Sequence, residues 1–207
     1  MSDEFTIACF LSSHGYGHAA RTCAILNAAA ELEPALRVKL FTEVPEWFFA
    51  ESLEIPYQLH VCKTDVGLVQ TSVFSHDVAA TLRELDEYFP LSEAYVDDLA
   101  SRISGCQLVL CDVSVLGVAV AKRAGIRSVL FENFGWDWIY ESFLNAEPGF
   151  SDPIRRIADL YEKVDLRIQT APLCRRIENL SMVPPVSRKP RRLGGETRDL
   201  LGVPDDK

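Results

Sequence analysis

The sequence predicts an α/β fold built on a doubly wound parallel sheet, and three observations carry that reading. The apolar run Phe5–Leu11 leads into Ser12-Ser13-His14-Gly15-Tyr16-Gly17-His18 and then into an alanine-rich stretch, residues 19–32. Strand, glycine loop and helix in that order open a ligand-binding α/β domain. The later runs at 107–111 and 127–132 are continuously apolar, as strands covered on both faces are. Helix-like segments separate the runs, which is the pattern of parallel crossovers.

Each element follows in order. In the first helix Cys23, Leu26 and Ala30 recur at helical spacing, small alanines allow close approach to a sheet, and Pro34 stops it. Residues 37–42 form the second strand, ending at Glu43, and residues 45–49 a short helix. Residues 57–61 alternate more and read as an outer strand. Residues 62–76 lack periodicity and predict a long loop on the active face. Val78, Leu82, Leu85 and Phe89, then Val96, Leu99 and Ile103, mark an amphipathic stripe that Pro90 should kink or split. The strand at 107–111 ends in Asp112-Val113-Ser114 and a helix to Ala124, closed by Gly125. A fifth strand spans 127–132, a helical stretch opens at Asn133-Phe134-Gly135-Trp136-Asp137-Trp138, a helix covers 152–163, and a sixth strand covers 165–169. Residues 179–183 are a candidate seventh strand. The expected order, 3-2-1-4-5-6, reverses between the first and fourth strands, so a ligand crevice should open there at the strand C-termini. The loop at 12–18 and the turn at 112–116 would face each other across it.

After residue 183 the composition changes. Residues 184–192, including Arg188, Lys189, Arg191 and Arg192, are proline-rich and basic, and read as a solvated linker rather than a nuclear signal. Residues 196–201 fit one or two helical turns. The expected division is one domain over 1–185, followed by a linker and the beginning of a second domain over 186–207.

Composition excludes several classes. The chain is 48% hydrophobic with a net charge of −9, which suits a sizeable core and opposes nonspecific nucleic-acid binding. Six cysteines include no CxxC pair, and Cys9, Cys23 and Cys111 sit in apolar contexts, as expected of reduced thiols in a cytoplasmic protein. The acidic start, residues 1–4, lacks a signal-peptide pattern. No apolar run reaches the roughly 18 residues of a membrane span. No thiol lies in an obvious cationic loop, so cysteine nucleophilic catalysis finds no support.

The chemistry concentrates in a few residues. Gly15 and Gly17 let the backbone bend and approach a ligand. His18, at a helix start, lies where the dipole opposes a positive charge, and a neutral imidazole can take a hydroxyl proton. The bland alternative is that both histidines only cap the helix or bond the loop. His14 and His18 have i, i+4 spacing, but His14 precedes the glycines and no acid or cysteine completes a set, so no metal site is expected. Asp112 could orient His18, act as a base or bind a sugar hydroxyl; it could equally cap the next helix with Ser114. Trp136, Asp137, Trp138 and Tyr140 suit stacking on sugar faces and bonding to hydroxyls, or packing beneath the sheet. Gly15-x-Gly17-x-x-Ala20 with Glu43 also fits a dinucleotide fingerprint loosely, leaving an NAD(P)-binding oxidoreductase domain as a minor alternative.

The segment Ser13-His14-Gly15-Tyr16-Gly17-His18-Ala19-Ala20-Arg21 resembles the first loop of GT-B glycosyltransferases of the family 28 type. The match is closer to the glycosyltransferase-like N-terminal region of arabinokinase-type proteins. Asp112-Val113-Ser114, residues 124–129 and Asn133 through Tyr140 also carry it, and residues 184–188 look like the approach to a second domain. The resemblance implies a Rossmann-like N-terminal half of a GT-B fold that holds the acceptor, a carbohydrate or glycolipid. A donor-binding C-terminal domain, absent from these residues, would hold a nucleotide sugar such as a UDP-sugar, with no metal or other cofactor. It implies hexosyl transfer to a hydroxyl, with His18 and Asp112 catalytic. The substrate would meet His14, Gly15, Tyr16, Gly17, Arg21, Ser114, Asn133, Trp136 and Asp137. His14 stands where the bacterial transferases carry small residues, and their longer glycine run is missing. A non-catalytic sugar or sugar-phosphate binding domain is the alternative. The oligomeric state is left open.

Overall fold

The computed structural model describes residues 5–190 and 194–204. The acidic start at 1–4, Arg191 and Arg192 of the basic stretch, and Lys207 lie outside them. The strands are β1 (Phe5–Leu11), β2 (Leu36–Thr42), β3 (Tyr57–Val61), β4 (Gln70–Ser72), β5 (Ser75–His76), β6 (Leu108–Asp112), β7 (Ser128–Glu132), β8 (Leu166–Thr170) and β9 (Ser181–Val183). The helices are α1 (Tyr16–Leu32), α2 (Glu46–Ser52), α3 (Val78–Tyr88), α4 (Glu93–Arg102), α5 (Val115–Ala124), α6 (Trp136–Glu141), α7 (Ser151–Tyr161) and α8 (Gly194–Leu201).

Seven strands form one sheet in the order β3-β2-β1-β6-β7-β8-β9, and every pairing is parallel. The expected six-strand order holds, and Ser181–Val183 extends it by a seventh. The order reverses between β1 and β6, where Leu11 pairs with Asp112 at the strand ends.

The period-two alternation of the strands sorts side chains into two cores. Ala8, Phe10, Val109 and Cys111 face a layer with Leu85, Leu99, Leu116, Tyr140 and Ile157, from α3 to α7. Ile7, Cys9, Leu11, Leu40 and Leu110 face Cys23, Leu26 and Phe49 of α1 and α2. Each fully buried large apolar side chain contributes about 1.5–3 kcal/mol. A Cβ on Gly117 would lie 2.6 Å from Phe10 Cβ and 2.7 Å from Cys111 Sγ, so the absence of a side chain lets α5 lie directly on β1 and β6.

As expected, Pro90 splits the long amphipathic stripe into α3, capped by Asp77, and α4, capped by Ser92. Two local readings need correction. Helix α1 begins at Tyr16, not at residue 19, so both Gly17 and His18 are helical. The aperiodic stretch 62–76 is only half a surface loop. Residues 70–76 form the exposed β4–β5 hairpin, but Thr64, Asp65, Val66 and Gly67 are buried.

Candidate functional site

The first loop turns at Gly15, whose φ of +82° is the left-handed conformation that a Cβ disfavours. Gly15 is the N-cap of α1 and offers no side-chain cap. Gly17 shows no such constraint, and a Cβ there would meet nothing within 4 Å. It lies in the first turn of α1 and leaves open space beside it. Gly15, Tyr16 and Gly17 are exposed, while His18 is buried at 8% exposure.

Helical spacing puts His18, Arg21 and Thr22 on one face of α1. That face meets Asp112 at the end of β6, which is 1% exposed. His18 Nδ1 lies 2.8 Å from Asp112 Oδ1. Arg21 donates from Nε to Oδ2 at 2.9 Å and from Nη2 to Oδ1, and Thr22 Oγ1 donates to Oδ2 at 3.1 Å. Burial by itself would raise the Asp112 pKa, but the hydrogen bonds from Arg21 and His18 more than offset that and hold it below the usual carboxylate range. An ionised carboxylate only accepts, so His18 Nδ1 carries the proton in this contact. In the neutral ring Nε2 then bears the lone pair, and it makes no hydrogen bond among the described residues. A base held in one tautomer by a buried acid is the arrangement that removes a proton from a hydroxyl.

Arg21 spends four of its five N–H donors inside the protein. Two go to Asp112, one to Asn133 Oδ1 at 3.0 Å and one to Thr170 Oγ1 at 3.1 Å. It ties the C-terminal ends of β6, β7 and β8 together and leaves little to offer a ligand. Ser114 is fully buried; its Oγ caps α5 through Gly117 N and donates to Thr64 O at 3.2 Å. Asp112 caps nothing. Between them Val113 is held at φ +62°, a conformation a β-branched residue rarely adopts, with its carbonyl accepting from Tyr161 Oη at 2.8 Å.

The other wall was not visible in the sequence. Thr64 Oγ1 donates to Leu11 O at 2.8 Å and Tyr140 Oη to Gly67 O at 2.7 Å, which seats residues 64–67 against the strand ends. His14 Nε2 bonds Val66 O at 2.7 Å, so that nitrogen is the donor. Gly67 is at φ +65°, and a Cβ on it would lie 1.8 Å from the His14 ring. Asp65 takes one hydrogen bond, from Trp136 Nε1 to Oδ2 at 3.1 Å, while its buried Oδ1 has no hydrogen-bond partner. Oδ1 lies 3.8 Å from His14 Nε2. Burial dominates, and pushes the Asp65 pKa above the usual range against the opposing effect of His14.

The aromatic cluster after β7 packs inward. Trp136 is 5% exposed, stacks on Tyr140 and meets His14 edge-on at 5.2 Å. Asp137 is half-buried in the first turn of α6, with Oδ1 buried and unpartnered, and burial raises its pKa. Phe134 stands edge-on to His18 at 5.6 Å. Glu43 is exposed just beyond β2. Sequence reasoning thus found His18, Asp112, Tyr16 and His14 at one edge, and missed Thr22, Thr170 and Asp65. Thr22 was readable as the i+4 neighbour of His18; the others carry no local signal. Among the described residues no group of three or more His, Cys, Asp or Glu could hold a metal ion.

No family model matches the chain. It is 26% identical over 216 residues to the L-arabinokinase of Arabidopsis thaliana, which covers 99% of this chain and 20% of that protein. A UDP-glucosyltransferase from Polygonum tinctorium, solved with 3,4-dichloroaniline and capable of glucosylating indoxyl, matches 91% of the chain at a TM-score of 0.54 and 12% identity. A Medicago truncatula structure complexed with UDP-glucose matches 97% at 0.53 and 12% identity. The chain spans 55% and 57% of those two chains, about half the length of each solved relative. The fold is a Rossmann-like α/β fold that matches those of solved GT-B glycosyltransferases.

Proposed function

We propose that this chain is the acceptor-side domain of a hexosyl-transfer machine. A donor-binding domain presents a nucleotide sugar such as a UDP-sugar, and this domain holds a carbohydrate or glycolipid hydroxyl. The observation that carries the proposal is the 2.8 Å contact of His18 Nδ1 with buried Asp112, at the reversal of strand order, with Nε2 unpartnered. His18 Nε2 removes the acceptor hydroxyl proton as oxygen attacks the sugar carbon. Asp112 fixes the tautomer and steadies the imidazolium that forms. Arg21 and Thr22 keep Asp112 ionised and immobile, so they are positioning residues. His14, Gly15, Tyr16 and Gly17 border the place where the acceptor sits. A compartment with reduced thiols, the cytoplasm, suits its six free cysteines.

Turnover is expected only where a donor-binding domain faces this one, and none from residues 1–207 by themselves. In such an assembly His18→Ala should lower transfer from a UDP-sugar by about 10²–10⁴-fold, the usual worth of a general base. Unchanged transfer would overturn the proposal, as would sustained turnover by the isolated chain.

One observation favours a second reading, a sugar or sugar-phosphate binding domain without catalysis. The Arg21 guanidinium grips both Asp112 oxygens, which leaves that carboxylate less able to support a charged imidazole. The match to 20% of an L-arabinokinase supports a sugar-binding role for this domain as well. Sugar binding that survives His18→Ala, with no transfer in any longer assembly, selects this reading.

A further inference from the structure

Two aromatic rings outside the His18 cluster stand open to solvent on the same edge. Tyr16 is 49% exposed and Trp47 is 52% exposed. Their centroids are 5.5 Å apart with planes at 67°, so they make a corner rather than a stack. The corner is rigid. Tyr16 lies flat on buried Phe48 at 5.1 Å, and the Arg188 guanidinium sits over the same Phe48 ring at 5.2 Å. Exposed aromatics held this firmly lose little freedom when something binds to them.

Position and charge narrow the occupant. Tyr16 opens α1, two residues before His18, and Trp47 follows β2, the neighbour of β1. Glu43 and Glu46 beside Trp47 are exposed and make no ion pair among the described residues. Aromatic faces beside carboxylates suit a ring with apolar C–H faces and hydroxyl donors at its rim. The one guanidinium at the corner, Arg188, already donates to Ser52 Oγ at 2.6 Å, so the two carboxylates, in a chain of net charge −9, disfavour a phosphorylated ligand.

We propose that Tyr16 and Trp47 form a stacking subsite for a neutral sugar ring of the acceptor, with Glu43 and Glu46 receiving its hydroxyl hydrogens. The assignment rests on the acceptor-side reading above and adds the chemical class: an uncharged saccharide, not a sugar phosphate or a lipid diphosphate.

The chain's three tryptophans give separate indole N–H signals, so ¹H–¹⁵N spectra of the full chain can test it. D-glucose, maltotriose and glucose 1-phosphate are the probes. Glucose and maltotriose should shift the Trp47 signal saturably, leave Trp136 and Trp138 unmoved, and bind more tightly than glucose 1-phosphate. Trp47→Ala and Tyr16→Ala should each weaken binding about tenfold, the worth of one stacked ring. Trp47→Phe should keep most of it. An unchanged melting temperature in both alanine variants shows that they fold. The proposal is overturned if neither neutral sugar moves Trp47, or if glucose 1-phosphate binds there more tightly. If the sugars bind but perturb only His18 and Phe134, the corner fails and the acceptor reading stands. If they bind at Trp47 and no longer assembly transfers sugar, the corner stands and the transfer reading fails.

Discussion

Asp112 and Asp65 are both buried, both at the C-terminal edge of the sheet and both beside a histidine, His18 at the start of α1 and His14 in the loop before it, yet the fold treats them oppositely. Asp112 receives hydrogen bonds from Arg21, His18 and Thr22, and the protein holds it ionised. Asp65 receives one from Trp136, faces no guanidinium, and has its pKa raised by burial. The number and charge of donors, not depth, decides which carboxyl keeps its charge. A buried carboxylate that stays charged can orient a base. One that favours its proton is suited to holding a wall.

Removing the guanidinium should break the contrast most severely. Arg21→Ala leaves the Asp112 charge without its cation and frees Asn133 and Thr170, so urea unfolding should show a loss of about 3–5 kcal/mol. A loss below about 1 kcal/mol would mean that Asp112 is better hydrated than its 1% exposure implies.

Gly67→Ala attacks the other wall. It adds a Cβ at φ +65° and drives it into the His14 ring, so a loss of about 1–3 kcal/mol and displaced His14 signals are expected. Unmoved His14 signals would show that residues 64–67 do not hold that ring.

The pH dependence should separate the two acids by sign. Asp112 has a folded pKa below its unfolded value, near 3.9. Its contribution is complete above that value and lost as pH falls through the folded pKa. Asp65 has a raised folded pKa, so its contribution is complete below about 3.9 and lost as pH rises through the folded value. Asp65→Asn should therefore gain stability relative to wild type as pH rises above the ordinary carboxyl range, whereas Asp112→Asn should lose it as pH rises from the folded Asp112 pKa to about 3.9 and change no further above that. Parallel curves for the two variants would erase the comparison. The smallest effect expected is that of Asp65→Asn at acid pH, where burial already favours the uncharged carboxyl.

The legible part of this molecule is the part governed by periodicity. Continuous apolar strands reveal the sheet and its reversal point, and that alone places Asp112 opposite the glycine loop. The i, i+3 step from His18 to Arg21 was equally present, but sequence cannot show where donors are spent. Arg21 was read as a ligand contact and proves to be an internal tie. Residues 64–67 have no period because their burial comes from single bonds to Leu11, Ser114 and Tyr140, each distant in the chain. The aromatics show the same limit. Trp136 sits in a conspicuous cluster and is buried, while Trp47, in a short unremarkable helix, is the exposed one.

The tautomer of the neutral His18 ring tests the account most directly. Imidazole ¹⁵N spectra, assigned with His18→Gln, should show Nδ1 protonated toward Asp112 and a bare Nε2. A ring carrying its proton on Nε2, with Nδ1 bare, would contradict the account, because no lone pair would then be left on the nitrogen meant to take the acceptor proton.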